Sequence, residues 1–183
     1  MQIINRECTF DSGHRVMNEK MKCFNIHGHT YLCQLKFAFN EIKDIGYAID
    51  FKEIKRVGCQ WIDDILDHGM LLNPHDKKLI QTTEELGGKF WLMSLNGEGE
   101  YCNPSAENIS KEIFLAMEVL FKTYSPSLVI HEIILYETPN CSVECVKDSI
   151  SKEERVNWAA ARFEEVYEYA RVKGIFEYDD RKN

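Results

Sequence analysis

Residues 23–39 read CFNIHGHTYLCQLKFAF, and the second half of this stretch decides the fold. From residue 29 to residue 39 apolar and polar side chains alternate. Tyr31, Cys33, Leu35, Phe37 and Phe39 share one face, and Gln34 and Lys36 share the other with Asn40 just beyond. A period of two predicts an antiparallel strand with one buried side. Residues 2–10 also read as a strand, and GYAID (46–50) extends the sheet briefly.

Helical signals follow. Asp50 with Glu53 resembles a capping box, and Ile54, Val57, Trp61 and Ile65 form a stripe at helical spacing. A second helix starts near Pro104 and Ser105, with the stripe Ile109, Ile113, Ala116 and Leu120. SLVIHEIILYET (127–138) and the region of CSVEC (141–145) read as strands. The predicted core is therefore α+β: a four-stranded antiparallel sheet in the order ββααββ, with two helices on one face. Residues 69–103 read as a loop-rich insert, with KFWLMS (89–94) as a short strand. Residues 1–147 form the expected main domain and 148–183 a helical extension. In that extension Ser151 and Glu154 make a capping box before the stripe Val156, Ala159, Phe163, Val166 and Ala170. So apolar a stripe predicts a docked helix.

The chain has 183 residues, 44% of them apolar, which suffices for one real core. Its formal net charge of −8 argues against nucleic acid or an anionic membrane as partner. No run reaches the ~20 apolar residues a membrane helix needs. The first residues lack the pattern of a secretory signal, and the seven scattered cysteines read as reduced thiols in a cytoplasm.

The chemistry lies in HGH. Residues two apart on a strand point the same way, so His27 and His29 present two imidazoles on one face, and Gly28 keeps the space between them open. His14, at the end of the preceding strand, is the natural third ligand for zinc; three histidines with a fourth position free is the catalytic pattern. Cys23 could instead close a His3Cys structural site, and an isolated HGH also arises by chance in edge strands. Asp67 directly before His68 pairs a carboxylate with an imidazole, a common proton-transfer device. Glu137 ends an otherwise apolar strand, where it meets either water or a ligand's donors. Arg15, Lys20 and Lys22 flank the histidine motif as candidate anion binders. His75, His131, Cys141 and Cys145 read as ordinary loop and strand residues.

Six segments in order, FDSGHR, CFNIHGHTY, AIDFKEIK, LDHGMLLN, PSAENIS and LYETPN, resemble the 6-pyruvoyl-/6-carboxy-tetrahydropterin synthase family over roughly residues 1–147. The resemblance implies a tunnelling fold and zinc held by His14, His27 and His29. It implies Cys23 as proton-abstracting thiolate working with Asp67 and His68, and Glu137 as anchor of a pterin's amino and ring NH groups. Ser105, Ala106 and Glu107 would line the same pocket. The three-residue interval between Cys23 and His27, with LLNPHDKKLI (71–80), is similar to the bacterial queuosine-pathway branch. That branch implies a 6-carboxy-5,6,7,8-tetrahydropterin synthase acting on 7,8-dihydroneopterin triphosphate, as a homohexamer with sites between subunits. A pyruvoyl-type synthase and a non-catalytic zinc-stabilised pterin binder are the rival readings.

Overall fold

β1 (Gln2–His14) and β2 (His27–Phe39) pair antiparallel, in a register that sets Phe10 opposite Tyr31, Ser12 opposite His29 and His14 opposite His27. Opposed residues share a face, so the buried row of β2 is joined by Phe10, Ser12 and His14. In this computed structural model the described residues are 1–42, 46–125 and 127–175. The helical region after β2 comprises α1 (Phe51–Ile54), a π-helical turn at Lys55–Cys59 and α2 (Gln60–Ile65). Then come β3 (Gly69–Leu72), α3 (Lys77–Glu85), β4 (Phe90–Leu92), α4 (Ala106–Tyr124), β5 (Val129–Thr138), β6 (Cys141–Val146) and α5 (Lys152–Val172).

The sheet is six-stranded and mixed, in the order β4-β3-β1-β2-β5-β6, not the four-stranded antiparallel sheet expected. The expected four strands are present and mutually antiparallel. Two short strands from the supposed loop insert add to the β1 edge, both in parallel pairing. GYAID does not extend the sheet; residues 46–50 are bends and irregular chain. The insert also holds α3, capped by Asp76, whose carboxylate accepts from the Leu79 N–H.

The helices cover the face that carries Tyr31, Leu35 and Phe37. Ile54, Val57 and Trp61 are buried there, as are Ile109, Ile113, Ala116 and Leu120. The Phe37 and Phe121 rings meet at 4.3 Å between centroids, tilted by 48°. Gly58 lies where the π turn meets the sheet. A Cβ on it would stand 2.8 Å from Leu35 Cδ1 and 3.1 Å from Met117 Sδ, so a larger residue would have to push both side chains aside in a close-packed core. Asp50 does cap its helix, but by accepting from the Lys52 N–H; Glu53 turns instead to Arg56 and Tyr124.

The capping box of α5 forms as expected between Ser151 and Glu154. The helix docks on its own chain, yet with a different face. Trp158, Val166 and Ala170 are buried, whereas Val156, Ala159 and Phe163 are exposed. The helix turns this way because its polar side chains have partners inside. Arg162 donates to the Leu92 carbonyl at 2.7 Å and lies 4.6 Å over the Trp91 ring. Asn157 donates to the Leu95 carbonyl, and Lys111 pairs with Glu154 at 2.6 Å. Removing Trp158 should therefore unseat the extension. Trp158→Ala is expected to cost about 3–5 kcal/mol in denaturant unfolding and to hasten tryptic cleavage beyond residue 148. Unchanged stability would show that the α5 seat contributes nothing to the fold.

Candidate metal and ligand site

The strand register brings the three histidines together. His14 and His27 ring centroids lie 4.6 Å apart, His14 and His29 5.2 Å, and His27 and His29 5.0 Å. One ligand atom from each falls within 4.8 Å of the other two. Among the described residues this is the group of metal-ligating side chains that converges so tightly, and Cys23 stands outside it. His14 is thus the third member of the cluster, and Cys23 is not part of it.

The rings are also held in the tautomer a metal needs. His14 Nδ1 lies 2.7 Å from the Pro104 carbonyl, and His27 Nδ1 lies 2.7 Å from the Asn25 carbonyl. A carbonyl oxygen only accepts, so both Nδ1 atoms carry hydrogen and both Nε2 atoms keep a lone pair. The Nε2 atoms of His14 and His29 are buried with no hydrogen-bond partner. Unpaired buried nitrogens are costly unless something occupies the space between them. Burial pushes the His14 pKa down, and the neighbouring His27 and His29 add to this against the opposing Pro104 carbonyl and Glu137. The donor set fits a divalent ion of zinc type, with open coordination positions.

Glu137 stands at the rim. Its Oε1 is 3.7 Å from His14 Nε2 and 3.8 Å from His29 Nε2. Nearby lies a residue that alternation marked only as core: Tyr31. Its hydroxyl is buried without a partner, and its pKa is raised first by desolvation and then by the Glu137 charge. Sequence carries one signal for this, a hydroxyl two residues beyond HGH on the same face.

Cys23 sits in a short 3-10 turn, Lys22–Phe24, within the β1–β2 connection, and its side chain is half-buried. Its carbonyl accepts from the Val16 N–H at 2.8 Å, which pinches the loop closed. Arg15 is not a free anion binder. Its guanidinium is engaged by both Asp76 carboxylate oxygens and lies 5.0 Å over the Phe24 ring. Ser105 caps α4, Ala106 is half-buried against the core, and Glu107 is exposed on the first turn. This segment reaches the histidines through the Pro104 carbonyl.

Asp67 and His68 follow α2 and are anchored by β1. The Asp11 N–H donates to Asp67 Oδ1 at 2.6 Å, and the His68 N–H donates to the Asp11 carbonyl at 2.7 Å. Asp67 Oδ2 accepts from His68 Nδ1 at 2.5 Å. This contact raises the His68 pKa; Asp67 is held low despite desolvation, by the Asp11 N–H and His68. His68 has φ 54°, an uncommon conformation for a non-glycine residue, of the kind that collects at functional sites. Asp11 and Thr30 alternate with Ser12 and His29, so they lie on the other face of the sheet. His68 opens into a groove of about 380 Å³ lined by Asp11, Gly28 and Thr30 and also by Ser12 and His29, and its side chain is 79% exposed. The Asp67–His68 pair is thus anchored on the Asp11 backbone, and its groove reaches one member of the triad, His29.

The fold and site define an α+β protein with three converging histidines beside a carboxylate. Residues 3–148 match the family model described as 6-pyruvoyl tetrahydropterin synthase. A 6-carboxy-5,6,7,8-tetrahydropterin synthase of Rickettsia felis is 36% identical over 140 residues, covering 76% of this chain and 96% of the relative. A 6-pyruvoyl tetrahydrobiopterin synthase of Dictyostelium discoideum is 32% identical over 101 residues, covering 49% and 75%. The structure of the Caenorhabditis elegans 6-pyruvoyl tetrahydropterin synthase matches with TM-score 0.55 at 20% identity, covering 79% of this chain and 94% of that one. The chain belongs to the 6-pyruvoyl tetrahydropterin synthase family, a family of pterin enzymes. No helix among the described residues is long and apolar enough to cross a membrane.

Proposed function

We propose that the chain is a zinc-dependent 6-carboxy-5,6,7,8-tetrahydropterin synthase of the cytoplasm. It would convert 7,8-dihydroneopterin triphosphate to the carboxy-tetrahydropterin, acetaldehyde and triphosphate, as a step toward 7-deazaguanines such as queuosine. The observation that carries this reading is the triad of His14, His27 and His29, with carbonyl-locked Nδ1 atoms and two orphaned Nε2 atoms. Relatives named as 6-carboxy-tetrahydropterin synthases, matched over most of their length, support the product assigned.

Zinc held by the three imidazoles would supply Lewis acidity to the substrate's side-chain oxygens. The chain's own groups do the rest. Glu137 offers two acceptor oxygens to the flat amino and NH edge of the pterin, a bidentate match. Cys23, outside the ligand set, acts as the base. Asp67 fixes the His68 tautomer and favours the protonated form of the ring. Ser105, Ala106 and Glu107 are assigned to the pocket wall. A homohexamer with sites between subunits would let the exposed His68 of one chain serve the pocket of another.

Incubation with dihydroneopterin triphosphate and zinc, followed by mass analysis, tests the reading. Acetaldehyde is the expected product. Triphosphate release without acetaldehyde would assign the pyruvoyl-type reaction, which the Dictyostelium relative's name brings into play. Binding without turnover would leave a non-catalytic pterin protein. For the metal, His27→Ala combined with His29→Ala is expected to abolish zinc retention in elemental analysis. One full equivalent in that variant would remove the triad as the site.

A further inference from the structure

Resting on the reading just given, we propose that Asn103 is a positioning residue that holds the Cys23 loop in register with the histidine pocket. The segment before α4 crosses both parts of the site. At Pro104 its carbonyl fixes the His14 ring. One residue earlier, Asn103 Oδ1 accepts from the Met17 N–H at 2.9 Å. The Met17 carbonyl in turn accepts from the Tyr101 hydroxyl at 2.6 Å, and Asn103 Nδ2 donates to that hydroxyl at 3.1 Å. Both backbone groups of Met17 are thereby clasped. Met17 follows Val16, whose N–H is bonded to the Cys23 carbonyl. The thiol's backbone is thus one residue and one hydrogen bond away from the clasp.

The clasp is itself braced. Asn73 Nδ2 donates to the same Asn103 Oδ1 at 2.9 Å, and Asn108 Nδ2 donates to the Asn103 carbonyl at 2.9 Å. Asn73 is buried. The proposed metal ligand His14 and the loop of the proposed base are accordingly indexed to adjacent residues of one strap, Pro104 and Asn103, while within itself the loop that carries Cys23 has a 3-10 turn and a few backbone bonds. Small errors in the position of such a group are expensive; a shift of ~1 Å can cost about 10²-fold in rate.

Three variants of the full zinc-loaded protein test this: Asn103→Leu, Asn103→Asp and Tyr101→Phe. Asp keeps the acceptor for Met17 and Asn73; Leu keeps neither. Turnover is measured beside the rate at which iodoacetamide alkylates Cys23 relative to the exposed Cys141, read by peptide mass mapping. Asn103→Leu is expected to lower kcat by roughly 10–100-fold with little change in KM and to raise the Cys23-to-Cys141 alkylation ratio several-fold, with zinc retained. Asn103→Asp should restore most of both. Tyr101→Phe, at a half-exposed site, gives the same direction at smaller size should the Leu variant fail to fold. An unchanged kcat and alkylation ratio in a folded Asn103→Leu or Tyr101→Phe protein overturns the proposal. If the wild type itself shows no turnover, the functional reading falls, and the alkylation ratio alone still decides whether Asn103 holds the loop.

Discussion

Cys23→Ala is expected to retain one zinc and a native melting transition while losing turnover by ~10²–10⁴-fold, the range for removing a general base. The expectation follows from where the thiol stands. Three imidazoles converge without it, so deleting it removes no ligand. It lies in a loop, half-buried, and leaves a small gap that water can fill. A thiol acts as a base through its thiolate. Cys23→Ser should be nearly as inactive, because it keeps the shape and loses the acidity. The paired measurement separates two roles. Loss of zinc in Cys23→Ala would make the cysteine a fourth ligand and the site structural. Retained zinc with near-normal turnover would remove it from the chemistry.

The parts of the fold that could be read in advance are those in which one physical rule dominates. β2 alternates because one face meets the helices and the other does not, and each apolar residue of its row, from Tyr31 to Phe39, is buried. α4 announces itself through Ser105 and a stripe that is wholly internal. β4 falls within KFWLMS, which reads as a short strand, but β3 was hidden because it is only four residues long. A strand that short, buried and parallel shows no period and is indistinguishable from an apolar loop. On α5 the apolar stripe held at Val166 and Ala170 and failed at Val156, Ala159 and Phe163, which are exposed. Trp158 and the half-buried Arg162 fix the orientation, and a hydrophobic period does not register an arginine that finds a carbonyl and an indole. In the site, the ligand triad was legible because strand geometry turns HGH into a paired display. The clasp at Asn103 and the orphaned Tyr31 hydroxyl were not, since both depend on contacts between segments far apart in sequence.

Mixing two inactive proteins is expected to restore activity. Cys23→Ala lacks the base and His68→Ala lacks the imidazole, and neither alone should turn over. Within one chain the triad lies on the face that carries Tyr31, while His68 is exposed and anchored to the backbone of Asp11, whose side chain lies on the other face. In the proposed homohexamer a chain need not bring its own His68 to the substrate beside its own Cys23. A second copy can supply the imidazole, by setting its exposed His68 against the first copy's pocket. The strand edges at β4 and β6 offer the means, since an unpaired edge tends to recruit another chain. In a closed ring every subunit gives its thiol to one site and its imidazole to another. If exchange is random and the mixture equal, about a quarter of such sites combine an intact Cys23 with an intact His68. After dissociation, mixing and reassembly, activity should therefore return to about a quarter of the wild-type level. Subunit exchange is verified by mass spectrometry of the mixed oligomers. Full exchange with no recovery would confine each site to one chain, and the His68 ring would then need a role in its own groove, beside Asp11 and Thr30.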